Sequence, residues 1–295
     1  MRHTRGRVVE VGSLEELDRH LSPGPVSLNG WRVSSVDLRG RSRELREARV
    51  AGATFLGCTF AEGDEADVEA RGALVFPSLP AAPLDTWRST LYTPRELYDA
   101  AAYQDSLDAR AYGWSQEHAD HDALLAQTLH DHAIDGALTA WVADRRLVGL
   151  MGGHALERGE ATYAEAARLG QAVGGRLTVA TGGGPGAMEA ANLGAWFAPR
   201  SADELEAAIE HLARVPSFRP SIGAWAGAAL DVLDRYPDGA ASLGIPTWHY
   251  GHEPSNPFAT AIAKYFRNAT REAILLEVCD AGIVFLPGAG GTVQE

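Results

Sequence analysis

The pattern of hydrophobic and polar positions changes twice along the chain. Over residues 1–90, short apolar runs such as RVVEV, WRVSSVDL and ALVFP alternate with turns and prolines. Over 91–145, apolar residues recur at spacings of three and four, which indicates helices. Over 146–295, short apolar runs alternate with longer helical segments. The pattern therefore predicts a small β-rich accessory domain, a helical connector and a parallel α/β sheet.

One segment of the first domain, 48–62, has a regular spacing. Val50, Phe55 and Phe60 recur every five residues between small residues. This resembles two or three coils of a pentapeptide-repeat β-helix. So few coils are too short for a free-standing solenoid, which needs stacked neighbours and caps. An ordinary small strand-rich domain is therefore the preferred interpretation.

The connector begins with a strong helix signal. Thr93 is an N-cap candidate, Pro94 occupies the first helical position and Glu96 completes a capping box. A second helix is predicted over DALLAQTLHDHAIDGALTAWVA. The histidines of this region lie among aspartates that read as a solvated face, so we predict no metal site. These histidines are His118, His121, His130 and His132.

The third segment repeats a strand–helix order. The predicted strands are LVGLM, LTVATGGG, LGIPTWHYG and GIVFL. The predicted helices are ATYAEAARLGQAVGG, PGAMEAANLGAWFA and FATAIAKYFRNATREAILLEV. Such alternation implies a Rossmann-like, doubly wound parallel sheet, in which ligands bind outside the carboxyl ends of the strands.

A glycine loop follows the second of these strands. Glycine adopts backbone conformations closed to other residues, and its N–H group can approach an anion closely. The helix start behind the loop adds unpaired donors and a positive dipole. A tight turn without a ligand is the alternative, but three consecutive glycines exceed what a turn needs. The predicted ligand contacts are Gly182, Gly183, Gly184, Gly186, Met188 and Glu189.

A second glycine loop repeats this arrangement after GIVFL. Two such loops on one sheet would form a concave anion site, which suits a phosphorylated small molecule. The dinucleotide fingerprint G-x-G-x-x-G is absent after LVGLM, so an NAD enzyme is disfavoured. The further predicted phosphate contacts are Gly152, Gly153 and His154 after the first strand, and Pro287, Gly288, Gly290, Gly291 and Thr292 after the last.

Composition excludes several classes of function. The net charge of −13 argues against a nucleic-acid partner, because affinity for the phosphate backbone comes from clustered Lys and Arg. Lys264 is the only lysine and lies beside no phosphate loop, which disfavours Schiff-base enzymes and Walker A proteins. No apolar run reaches the roughly 18 residues of a membrane span. Two cysteines make no disulfide framework, so we expect a cytoplasmic protein.

The motifs GGGPGAMEAAN and PGAGGTVQE, with Arg271 between them, resemble those of the LOG family. This family comprises Rossmann-like proteins with the signatures PGGxGTxxE and RKxxM, long misnamed lysine decarboxylases. The resemblance covers about residues 146–295 and is to the longer actinobacterial branch. It implies hydrolysis of the N-glycosidic bond of nucleoside 5′-monophosphates to free base and ribose 5-phosphate. It further implies a homodimer that uses no metal or cofactor.

The resemblance implies two catalytic residues. Glu295 matches the final acid of PGGxGTxxE, and Arg271 matches the arginine of RKxxM. Cleavage of a ribosyl C–N bond builds positive charge on the sugar, which a carboxylate stabilises. A guanidinium can hold the phosphate bidentately or orient the acid. The chain departs from the signatures at Glu272, Leu275 and Ala289, and these departures bear on substrate choice and activity.

Alternatives stay open at several points. His249, His252, Glu253 and Asn256 either line a base pocket or belong to a packed loop, and Cys279 is expected in the core. A non-catalytic nucleotide-binding or sensing module, with a partner-binding N-terminal domain, is the alternative function. The sequence ends on the first turn of the helix expected after PGAGGTVQ. We therefore expect a fragment that lacks at least one further helix and a strand, which would impair turnover.

Overall fold

The computed structural model of the chain describes residues 9–22, 27–79, 82–117, 121–249 and 253–286. The chain divides into two compact units. One comprises residues 1–90 and 120–137, and the other comprises 91–119 and 138–295. The segment 91–145, predicted as one helical connector, is thus divided between the two units.

The first unit is a parallel sheet with a helix after each of its first three strands. The strands are β1 (Val9–Val11), β2 (Trp31–Ser34), β3 (Thr54–Leu56) and β4 (Leu74–Phe76). The helices are α1 (Leu14–Leu21), α2 (Ser42–Glu47) and α3 (Asp64–Ala70). The strands lie side by side in chain order. The predicted runs RVVEV, WRVSSVDL and ALVFP each contain a strand, whereas the three helices were not part of the prediction.

The repeat in this unit is much longer than five residues. Val11 pairs with Val33, and Val33 pairs with Phe55, each 22 positions further along the chain. These three side chains are completely buried and form one column of the core. The segment 48–62 contributes one strand of this column. Its five-residue spacing therefore does not mark successive coils of a β-helix.

The second unit opens with helices. They are α4 (Pro94–Leu97), a 3-10 turn (Tyr103–Asp105) and α5 (Leu107–Glu117). The next helix, α6 (His121–Val142), belongs to the first unit up to residue 137, and only its end belongs to the second. The predicted capping box is present, since the Glu96 amide donates to Thr93 Oγ1 and the Thr93 amide donates to Glu96 Oε2. The helix that it starts is only one turn long. The predicted second helix is confirmed as α6.

A five-stranded parallel sheet forms the centre of the second unit. Its strands are β5 (Leu147–Met151), β6 (Thr178–Thr181), β7 (Ser242–Gly244), β8 (Ala261–Ile262) and β9 (Gly282–Phe285). Its helices are α7 (Ala161–Gly174), α8 (Ala187–Trp196), α9 (Ala202–Leu212), α10 (Ile222–Arg235) and α11 (Asn268–Val278). The predicted α/β fold with a parallel sheet is confirmed and is consistent with a Rossmann-like arrangement.

Two parts of this unit differ from the prediction. The helix predicted over FATAIAKYFRNATREAILLEV is a helix only from Asn268 onward, and its first part contains β8. Residues 261–266 are all buried, and a short, wholly buried apolar run cannot be assigned to helix or strand by its periodicity. In addition, the polar stretch between β6 and β7 contains α9 and α10, which were not predicted.

The order of the strands fixes where a ligand can bind. The sheet runs β8-β7-β6-β5-β9, so the chain builds outward from β5 in one direction and then adds β9 on the other side of β5. In open α/β sheets the loops at such a reversal diverge and leave a crevice at the carboxyl ends of the strands. In this sheet the reversal is at β5, which lies between β6 and β9. Among the helices that the structure describes, none has the length and apolar character of a membrane span.

Candidate functional site

The candidate site lies at the carboxyl ends of the central strands. The loop after β5 begins with Gly152 and Gly153, and the loop after β6 contains the glycines of GGGPG. The described chain ends at Leu286, just after β9. The second glycine loop therefore lies outside the described residues, and with it Pro287, Gly288, Gly290, Gly291, Thr292 and Glu295.

The loops after β5 and β6 pack directly on one another. The Ala187 amide, at the start of α8, donates to the Gly153 carbonyl at 3.1 Å. Gly186 has a φ of +74°, and a Cβ at this position would lie 2.5 Å from the same carbonyl oxygen. Both the conformation and the space at Gly186 therefore require glycine. The two loops present their backbones at the start of a ten-residue helix.

A buried polar network holds the β6 loop in place. Asn256 donates its backbone N–H to the Gly183 carbonyl at 2.8 Å and its side-chain amide to the Gly184 carbonyl at 3.1 Å. The same side-chain amide donates to Asn192, which also accepts from the Thr181 hydroxyl at 2.6 Å. Asn256 thus belongs to a packed loop, one of the two interpretations that its sequence left open.

Arg271 lies beside the first glycine of this loop. A Cβ on Gly182 would be 3.6 Å from Arg271 Nη1. The other terminal nitrogen, Nη2, donates to Asn268 Oδ1 at 3.0 Å and to Glu272 Oε1 at 3.3 Å. The structure therefore brings the predicted arginine to the predicted glycine loop. It also places Glu272, the residue at the family's lysine position, in contact with that arginine.

His154 and Glu253 are in contact beside the middle of the loop. His154 Nδ1 lies 3.1 Å from Glu253 Oε1, and His154 is about half exposed. A Cβ on Gly184 would lie 3.8 Å from Glu253 Oε2, so this carboxylate faces the middle of the glycine loop. Of the neighbouring histidines, His252 lies outside the described residues.

The two predicted contacts on α8 have different surroundings. The Met188 thioether packs on the glycines, since Cβ atoms on Gly182 or Gly184 would lie within 3 Å of it. Glu189 is buried and forms an ion pair with Arg158, whose Nε lies 2.9 Å from Glu189 Oε1. Burial raises the pKa of the Glu189 carboxyl, an effect that Arg158 opposes. Nothing in the sequence around Arg158 singled it out.

A second buried ion pair contains the only lysine. Lys264 Nζ lies 2.6 Å from Asp108 Oδ1 and 2.9 Å from Ser255 Oγ, and it is completely buried. The Asp108 carboxylate also accepts from the Trp248 indole and the Tyr103 hydroxyl, each at 3.0 Å. Lys264 therefore fixes the segment that ends in Asn256. Its amine nitrogen donates to both of these oxygens inside the core and is not positioned as a Schiff-base amine.

The remaining candidates show no catalytic geometry. The described residues contain no group of three or more His, Cys, Asp or Glu side chains arranged for a metal ion. His130 is buried against Asp131, and burial lowers its pKa. His118 lies outside the described residues. Cys279 is buried as expected, and burial raises its pKa to about 11, so its thiol is not activated.

Comparison with protein-family models and with curated proteins gives no match to this chain. The LOG resemblance therefore stays an expectation from the motifs. The loops after β5 and β6, together with Arg271, define the candidate site.

Proposed function

We propose that this chain hydrolyses the N-glycosidic bond of nucleoside 5′-monophosphates and releases the free base and ribose 5-phosphate. The observation that carries the proposal is the position of Arg271 beside Gly182, at the carboxyl edge of a parallel sheet with a strand-order reversal. A permanently charged, planar guanidinium next to a glycine loop at a helix start suits a phosphate. The loop after β6 lies next to the loop after β5, the strand at which the order reverses, and such reversals are nucleotide sites in many α/β folds.

The chemistry that follows is a hydrolysis. Water adds to C1′ of the ribose, the C1′–N bond breaks, and the base leaves with a proton. The sugar becomes oxocarbenium-like in the transition state, so a nearby carboxylate lowers the barrier. The motif resemblance gives this task to Glu295, and Arg271 would hold the 5′-phosphate. The same resemblance supports a homodimer, which light scattering on the purified chain would test.

The test is an assay of base release. We would incubate the chain with AMP, GMP, CMP and UMP and quantify free base and ribose 5-phosphate by chromatography. At least one nucleotide should be cleaved, and Glu295→Gln should abolish cleavage while nucleotide binding persists. Folded protein that cleaves none of the four would refute the proposal.

Arg271→Ala provides the second arm of this test. Charge-assisted hydrogen bonds contribute about 1.5–3 kcal/mol each, so the affinity for AMP should fall by about 10- to 100-fold. Arg267→Ala is the matched control, because Arg267 is exposed just before the same helix. Equal losses in the two variants would show a general charge effect instead of a phosphate contact.

One observation favours the alternative, a nucleotide-binding module without turnover. Glu272 lies 3.3 Å from Arg271, where the resembled signature has a lysine, and it weakens the positive potential at the loop. Glu272→Lys should therefore strengthen the binding of AMP and inorganic phosphate several-fold in calorimetry. Glu277→Lys makes the same charge change at an exposed position of the helix and should have little effect. If the chain with Glu272 and the Glu272→Lys variant both bind AMP without releasing base, the nucleotide-binding module is favoured over the enzyme.

A further inference from the structure

The connection between β6 and β7 contains more than a parallel crossover requires. One helix suffices to join two parallel strands, and α8 would serve. The chain adds α9, α10 and the loop between them, which we call the two-helix segment (residues 202–235). Its loop is attached to the loop after β5, because the Arg158 amide donates to the Pro216 carbonyl at 3.0 Å. The segment is thus held against the candidate site.

A cavity of about 350 Å³ lies between this segment and the glycine loop. Pro185, Gly186 and His154 line one side, and Phe218, Arg219 and Trp225 line the other. This volume falls at the lower end of the range of about 300–1,000 Å³ found for small-molecule pockets. The glycine loop after β6 therefore forms part of one side of the cavity.

The side formed by the two-helix segment carries an arginine next to an aromatic ring. The guanidinium carbon of Arg219 lies 5.5 Å from the centroid of the Phe218 ring, and Arg219 is exposed. Phe218 in turn packs edge-on against Trp225, with ring centroids 6.3 Å apart. A guanidinium plane supported by an aromatic ring is a surface on which nucleobases stack.

The charges around the cavity favour a neutral group over a phosphate. Glu189 is neutralised by its buried ion pair with Arg158. Of the other lining residues, Glu157 and Arg219 carry opposite charges that balance each other. A phosphate placed here would meet a carboxylate as well as a guanidinium, whereas a planar base would meet no net charge.

The groups along the glycine loop follow the order of a mononucleotide. Arg271 lies at Gly182, the Glu253 carboxylate lies at Gly184, and the cavity begins at Gly186. In a nucleoside 5′-monophosphate the order is phosphate, ribose and base. We infer that the two-helix segment forms the base-binding wall of the site, with the Arg219 guanidinium stacked on the nucleobase. This inference rests on the proposed nucleotide substrate and does not require turnover.

The test compares a ligand that has a base with one that lacks it. Titration calorimetry would measure AMP and ribose 5-phosphate binding to the full chain in the Glu295→Gln background, which prevents consumption of AMP. Because stacking on one base contributes about 1–3 kcal/mol, Arg219→Ala should weaken AMP binding about 5- to 160-fold. Ribose 5-phosphate affinity should change less than twofold. Arg219→Lys keeps the positive charge but lacks the planar guanidinium, so its affinity for AMP should lie between those of the chain with Arg219 and of Arg219→Ala.

Arg214→Ala is the matched control, because Arg214 is an exposed arginine of the same loop that does not line the cavity. It should leave both affinities unchanged. Equal losses of AMP and ribose 5-phosphate in Arg219→Ala would overturn the inference, since Arg219 would then contact phosphate. The inference would also be overturned if Arg219→Ala bound AMP with unchanged affinity. The same holds if the chain with Arg219 in place bound AMP no more tightly than ribose 5-phosphate.

These outcomes separate the inference from the proposed hydrolysis. If the chain binds AMP through Arg219 but releases no base, the base-binding wall is supported and the proposed hydrolysis is refuted. If the chain releases base and Arg219→Ala binds AMP as tightly as the unchanged chain, the hydrolysis is supported and the base-binding wall is refuted.

Discussion

The two units of this chain are both built from parallel strands joined by helices, but their strand orders differ. In the first unit β1 to β4 lie side by side in chain order, so each connection adds the next strand on the same side of the sheet. In the second unit the order reverses at β5, with β6 on one side of it and β9 on the other. A parallel sheet therefore offers a ligand crevice only where its order reverses. The candidate site lies at that reversal.

The interiors of the two units also differ. The core of the first unit is a column of apolar side chains that includes Val11, Val33 and Phe55. Among the described Arg and Lys ion pairs, those with both partners buried, Arg158–Glu189 and Lys264–Asp108, lie in the second unit. Burying a charge is costly unless it is paired and hydrogen-bonded. The second unit thus contains these two buried ion pairs.

The variant with the largest expected effect on stability removes one buried charge. Arg158→Met leaves Glu189 buried without its partner, and we expect the free energy of unfolding to fall by about 3–5 kcal/mol. Urea unfolding would measure the loss, and hydrogen exchange would localise it to the second unit. The double variant Arg158→Met/Glu189→Gln should recover much of it.

The matched variant in the first unit is Arg41→Met, which breaks the partly exposed pair with Asp18. Surface pairs contribute little, so its effect should be a small fraction of the Arg158→Met loss. Equal losses in the two variants would remove the distinction between the interiors.

The next test compares two glycines that share a positive φ. Gly186→Ala combines a strained backbone with a contact on the Gly153 carbonyl, so the free energy of unfolding should fall by about 2–4 kcal/mol. In the first unit, Gly63→Ala has a φ of +81°, but no described atom lies within 4 Å of the added Cβ. It should lose only about 1–2 kcal/mol. AMP binding should be lost in the first variant and kept in the second.

The smallest expected effect is a pH dependence in the first unit. Because burial lowers the pKa of His130 below the ordinary value of about 6.5, the unfolded state binds more protons at acidic pH. The stability of this unit should therefore fall as the pH decreases from 7 to 5. His130→Gln should flatten this slope, measured by urea unfolding at several pH values. His132→Gln, on the exposed side of the same helix, should leave the slope unchanged.

The sequence predicted those elements that have a clear period and clear boundaries. LVGLM forms β5 and the segment after the glycine loop forms α8, because glycines mark the end of the strand and the start of the helix. The helices α1 to α3 were missed, since six to eight residues are too few to show a helical period. α9 was missed although Ser201 and Glu204 form a capping box at its start.

The candidate site was predictable only in part. Glycine runs and Arg271 are local signals, and the structure brings Arg271 to Gly182. Arg158 and Glu189, which form a buried pair, are far apart in the chain. Arg219 packs on Phe218 within a stretch that the sequence pattern showed only as polar. Such contacts depend on tertiary structure, which no local pattern encodes.

The burial of Lys264 makes the chain a reporter of its own unfolding. It is the only lysine, and in the folded second unit its ammonium is enclosed by Asp108, Ser255 and the Trp248 ring. Amine-directed labels, acetylating enzymes and lysine-linked tags can reach this side chain only when that unit opens. The rate at which a label appears on Lys264 therefore measures how often the second unit opens, with no engineered probe.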